Sequence, residues 1–211
     1  MFGSTFRLLG NLAIIAGLGI LLFTFGPLAV QEVTYRARPD GFFELADGPK
    51  NELFNINPEK ILTPINTNFS LIIPKIGANS AVIANVDPGN VKEYQIALSK
   101  GVAHAAGSAT PNEGGNVFLF AHSAGNFLQA SKYNAVFYLL NKLEAEDQIF
   151  LYYQNHKYEY KVTQKSIVTP QESTSLLAGS GKNTLVLMTC WPPGTTYKRV
   201  LVYAQKVPDK N

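Results

Sequence analysis

The 211-residue chain holds one cysteine, Cys190, so it can form no intramolecular disulfide and no metal site built on paired thiolates. Histidine is nearly as scarce. His104, His122 and His156 are too few for a metal cluster without carboxylate help, and neither HExxH nor a comparable short spacing occurs. No metal or other cofactor is expected. Only 16% of the residues are charged, 18 basic against 15 acidic, and the lysines and arginines are scattered rather than gathered in runs. Nucleic acid is therefore not an expected partner. Internal repeats and low-complexity tracts do not occur either.

Apolar residues are plentiful, at 46%, enough for one substantial core and an accessory segment. The accessory segment is N-terminal. After a short stretch, residues 1–7, the run from Leu8 to Val30 is apolar apart from Asn11 and Thr24 and carries no charge. As a helix at ~1.5 Å per residue it reaches roughly 35 Å, against a hydrocarbon core of about 30 Å. A cleaved signal peptide is the competing reading, but the run is long and Pro27 spoils the small-residue pattern before a cut after Ala29. Residues 8–30 are thus expected to be a transmembrane anchor. Arg7 on one side and Arg36 and Arg38 on the other nearly balance, and a long following domain translocates largely regardless of charge. The expectation is a single-pass plasma-membrane protein with residues 1–7 cytoplasmic and the remainder extracellular.

Residues 31–68 contain Pro39, Pro49, Pro58 and Pro64 and no sustained apolar period, which reads as a linker with at most short helical turns in ELADG and PEKIL. From Phe69 to Val207 short apolar and aromatic runs alternate with turn residues. FSLIIPKI, SAVIANV, NVFLFAH, QIFLYYQ, KYEYKVTQ, SIVT, TLVLMTC and RVLVYAQKV are the strand candidates. Asn155-His156-Lys157 joins two of them as a hairpin turn, which leaves His156 exposed. VKEYQIALSKG and KYNAVFYLLNKL have the spacing of short helices. Together these elements predict a mostly β domain, a closed or nearly closed barrel with peripheral helices, followed by a tail at 208–211.

Cys190 ends the apolar strand TLVLMTC and precedes the turn sequence WPPGTT, which places a thiol at the mouth of the barrel. A free cysteine is more often a small buried hydrophobe than a nucleophile, but a strand end in an exported domain argues for reactivity. His122 ends NVFLFAH in the same way. An imidazole beside the sulfur raises its thiolate fraction and can hand a proton to a departing amine. Arg199 opens the strand that returns from the cysteine, and its rigid fork of donors suits a developing oxyanion. Taken alone, it also reads as an ordinary surface arginine beside Lys198. Thr189 can add a hydroxyl or, with Cys190, backbone donors. His104, in the glycine-rich loop SKGVAHAAGSATP rather than at the end of a strand, is the rival base, and either histidine can be structural.

The order of the segments KGVAHAAGSATPNEGGNVFLFAHS, VFYLLNKLEAEDQIFLYYQNHKYEYKV and LVLMTCWPPGTTYKRVLVYA resembles that of sortases. The resemblance covers about Phe69 to Val207. It rests on the IPKI strand, the GGN that leads to a histidine, the TC dipeptide and the downstream arginine. It implies an eight-stranded sortase-type barrel with Cys190, His122 and Arg199 as the catalytic set. It further implies cleavage of an LPxTG-like sorting signal through a thioacyl-enzyme, with transfer to an amine of a cell-wall precursor or a pilin lysine. The family's TLxTC motif is met here by VLMTC, with Val186 in place of threonine. Pro192, two residues past the cysteine, resembles the non-housekeeping classes. Two other functions fit the residues: a membrane-anchored cysteine peptidase that uses water as acceptor, and a binding module on a sortase-like fold, against which the intact Cys, His and Arg set argues.

Overall fold

In the computed structural model, eight strands each bury an apolar row and close on one another, so no strand is left with an unpaired edge. The structure describes residues 2–37, 63–123, 136–173 and 181–208. In chain order the strands are β1 (Phe69–Ile73), β2 (Ala78–Val86), β3 (Val102–Ala105), β4 (Asn116–Phe120), β5 (Gln148–Tyr153), β6 (His156–Val168), β7 (Thr184–Trp191) and β8 (Lys198–Lys206). Around the barrel they run β1-β2-β3-β4-β7-β8-β6-β5 and return to β1. Leu71, Ile73, Leu119, Ile149, Leu151, Leu185, Leu187, Val200 and Val202 fill the interior, each fully buried.

Two of the eight pairings are parallel, β2 with β3 and β4 with β7. A parallel pair needs a crossover connection. For β2 and β3 the crossover is helix α2 (Val91–Leu98), whose N-cap Asn90 accepts a bond from the Glu93 N–H at 3.3 Å. The return from α2 is tight: a Cβ at Gly101 would lie 2.3 Å from the Ala81 carbonyl oxygen, so only glycine lets the chain enter β3 there. The β5–β6 hairpin closes through Gln154 and Asn155, with φ of 49° and 64°, the left-handed pair that a two-residue turn of matching twist requires. His156 is the first residue of β6, opposite Tyr153, and is exposed.

Three sequence expectations change. VAHA, read as loop, is strand β3, and KYEYKVTQ with SIVT is one strand, β6, interrupted only by a bulge between Val162 and Gln164. KYNAVFYLLNKL is not an α-helix in its described part. Residues 136–139 form turns and Leu140–Lys142 a single 3-10 turn, and residues 132–135 lie outside the described residues. The reason is in the spacing: Phe137, Leu140 and Leu143, all fully buried, recur every three residues, the period that stacks side chains in a 3-10 turn. The ammonium of Lys165 then donates to the Asn141 and Leu143 carbonyls and fastens this segment to β6.

The N-terminal unit, Met1–Pro39, is a body of its own. It is the 36-residue helix α1 (Phe2–Ala37), which continues past the expected end of the anchor at Val30 and into the stretch read as linker. An Arg36–Glu32 ion pair of 2.9 Å, one turn apart, supports its last turns. Its side chains are described as an unbroken run only from Arg7 to Phe23, and among the described residues no helix is long and apolar enough to cross a membrane. Leu8 and Ile15 are 68% exposed and Leu22 71%. The linker segments ELADG and PEKIL lie outside the described residues, except that Leu62 is followed by described chain from Thr63.

Candidate active site

β4, β7 and β8 are consecutive in the barrel wall, and this adjacency assembles the site. In the antiparallel β7–β8 ladder Cys190 stands directly opposite Arg199, so the two side chains leave the same face of the sheet. In the parallel β4–β7 ladder Phe120 is in register with Met188. Past Phe120 the chain leaves β4, and His122 follows two residues on, at the end of β4 that adjoins Met188. Cys190 and Arg199 thus form a cross-strand pair, and His122 follows the adjoining end of β4. Cys190 and His122 are both half-buried. The same face holds Phe118 and Phe120 of β4, Val186 and Met188 of β7, and Leu201 and Tyr203 of β8, so the pair ends an apolar strip.

His122 does not end β4, as its sequence position suggested. The strand stops at Phe120, and the Ala121 N–H makes one further bond, to the Met188 carbonyl at 3.2 Å. Cys190 in turn is not the last residue of its strand, because β7 runs on through Trp191, paired with Lys198. Burial lowers the His122 pKa below the ordinary value of 6.5, so its imidazole is neutral near neutral pH. Arg199 turns Nη1 towards its own loop, donating to the carbonyls of Thr196 at 3.1 Å and Lys198 at 3.0 Å. Its Nε and Nη2 donors have no partner among the described residues.

Thr189 faces the other way. It is 3% exposed, on the interior row with Leu185 and Leu187, and its hydroxyl donates to the Ala121 carbonyl at 2.8 Å. The hydroxyl therefore does not open onto the face of the sulfur. Ala121 itself was missed in the sequence, since its contribution is a backbone carbonyl that no side chain announces.

His104, the rival base, lies in β3 and is 3% exposed. The Asn85 N–H donates to its Nδ1 at 3.2 Å, which leaves the ring proton on Nε2, facing the Ala109 carbonyl at 3.0 Å and the Ser108 hydroxyl at 2.9 Å. Desolvation lowers its pKa, only partly offset by the Ala109 carbonyl and the charge of Glu113. This is a histidine satisfied on both nitrogens, apart from the row that holds Cys190. Among the described residues no three of His, Cys, Asp and Glu group as a metal site.

The family model for the sortase domain matches residues 71–207. Sortase D of Bacillus subtilis (strain 168) is 27% identical over 167 residues, which cover 77% of this chain and 76% of the relative. Among solved structures, sortase C-1 of Actinomyces oris aligns with a TM-score of 0.55 and 26% identity, over 69% of this chain and 76% of its own. The pilus-related sortase C of Group B Streptococcus aligns with a TM-score of 0.56 and 26% identity, over 71% of each chain.

Proposed function

The chain belongs to the sortase family of cysteine transpeptidases, and on that premise we propose that it joins surface proteins to an amine through a thioacyl-enzyme at Cys190. The observation that supports this reading is the pairing of Cys190 with Arg199 across β7 and β8, beside β4, the strand after which His122 comes. An LPxTG-like sorting signal brings its threonine carbonyl to the sulfur. His122 takes the thiol proton, and Cys190 Sγ attacks the carbonyl carbon. Arg199 donors hold the oxyanion. The C–N bond to glycine breaks, the departing amine takes the proton from His122, and a thioester remains. An incoming amine, from a cell-wall precursor or a pilin lysine, then attacks the thioester, gives up its proton to His122 and releases Cys190.

The pilus-related name of one relative supports a pilin lysine among the acceptors. The test is cleavage of an LPxTG peptide with and without added amine. Transfer product in the presence of amine supports the proposal, and hydrolysis that no amine diverts makes the protein a peptidase instead.

We propose further that residues 8–30 anchor the protein in the plasma membrane with the barrel outside. α1 is continuous through this charge-free run, and the exposure of Leu8, Ile15 and Leu22 calls for an apolar surrounding. The full chain should sediment with membranes and resist carbonate extraction, whereas a chain begun at residue 40 should stay in the supernatant. Equal partition of the two would remove the anchor.

A further inference from the structure

The β4–β7 ladder stops one bond early, and the place where it stops is the nucleophile's own amide. Its first and last backbone bonds run from the Thr184 N–H to the Gly115 carbonyl at 3.2 Å and from the Ala121 N–H to the Met188 carbonyl at 3.2 Å. Thr184 and Met188 therefore turn their peptide groups towards β4. Strand geometry alternates, so Cys190 turns its N–H the same way. The next bond of an uninterrupted parallel ladder would run from the Cys190 N–H to the Ala121 carbonyl. That bond is not made. The Ala121 oxygen accepts instead from the Thr189 hydroxyl at 2.8 Å, delivered from the barrel interior.

We infer that Thr189 serves the reaction by occupying the Ala121 carbonyl and so freeing the Cys190 N–H to stabilise the oxyanion. Among the described residues the Cys190 N–H bonds to none. It leaves the same residue as the sulfur, towards β4, while Arg199 lies across on β8. An oxyanion formed at a carbonyl under attack by Cys190 thus has a backbone donor on one flank and the Arg199 fork on the other. Donors held in place before reaction stabilise developing charge without reorganisation. Thr189 is a positioning residue in this arrangement, because it acts from the buried side and touches no substrate. The inference rests on the proposed thioacyl chemistry.

The experiment compares wild type with Thr189→Val and Thr189→Ser in the full chain. Valine keeps the volume and the branching but has no hydroxyl, so the Ala121 carbonyl is left for the Cys190 N–H and the ladder gains its missing bond. Thr189→Val should then lower kcat for the sorting peptide on the order of 10²-fold with KM little changed, the size expected for one lost oxyanion donor. Thr189→Ser should restore most of it. Amide hydrogen exchange at Cys190 should slow in the valine variant. Alkylation of Cys190 by iodoacetamide, which passes through no oxyanion, should keep its rate and pH profile. Turnover by Thr189→Val at the wild-type kcat, an unchanged Cys190 exchange rate, or alkylation lost in step with kcat would each overturn the inference. Absence of turnover in the wild type would sink the proposed function instead, and the exchange comparison would still decide the bond.

Discussion

Arg199 is the direct cross-strand partner of Cys190, yet its Nη1 is turned back to the carbonyls of Thr196 and Lys198 in the connecting loop. The two facts suit one side chain, because a planar guanidinium can hold its own loop with one nitrogen and offer the others to a substrate oxygen.

Arg199→Lys should therefore fold normally and fail in catalysis. An ammonium keeps the charge but cannot bond the loop and the oxyanion together, and kcat should fall on the order of 10²-fold. Thermal melting beside peptide turnover checks this. Near-normal turnover would make Arg199 an ordinary loop-holding arginine.

Cys190→Ala should abolish turnover while the melting curve stays near wild type, since the chain has no second thiol. Intact-mass analysis after treatment with iodoacetamide should find one adduct, at Cys190. Any residual turnover by the alanine variant would sink the thioacyl mechanism.

His104 and His122 should separate cleanly on mutation. His122→Ala should cost activity and little stability. His104→Ala should do the reverse, because it removes a buried ring together with its bonds to the Asn85 N–H and the Ala109 carbonyl, a loss of about 1–3 kcal/mol. Chemical denaturation and turnover of both variants test the pair; equal activity losses would reopen the choice of base.

Acid should unfold the protein through the same two residues. Burial holds both imidazoles below the ordinary 6.5 in the folded state, so below that pH the unfolded chain binds more protons. The stability they contribute is present above 6.5 and is lost as pH falls from there through the folded values. Melting temperature followed from pH 8 to pH 5 should drop below about 6.5, and less steeply in His104→Gln. A flat profile in the wild type would contradict the burial-driven shifts.

Most strands were legible because their apolar rows are unbroken, as in Leu185 to Met188 or Val200 to Tyr203. β3 was not, since Val102–Ala105 is four small or polar residues behind a glycine, and its burial comes from neighbours that a linear reading does not see. The 3-10 segment misled because Leu139, Leu140 and Leu143 satisfy a helical spacing, whereas the rows that pack are Phe137, Leu140 and Leu143. At the site, Cys190, His122 and Arg199 were visible as residue types near strand ends. The adjacency of their strands was not, because the parallel register between β4 and β7 is set by the closure of the whole barrel. For Thr189 the residue was legible and its direction was not; alternation from Leu185 and Leu187 sends its hydroxyl inward.

The pairing of β4 with β7 has one more consequence, for the order in which the protein becomes active. Ala121 and Thr189 are 68 positions apart along the chain, and the contact between their strands closes a loop that includes β5 and β6. Contacts of such wide sequence separation are slow to form, because the entropy of the intervening chain is lost before they give anything back. A chain still emerging, with β7 and β8 unpaired, carries a solitary thiol of ordinary reactivity with neither imidazole nor guanidinium beside it. The proposed catalytic set is thus brought together only with the last closure of the barrel.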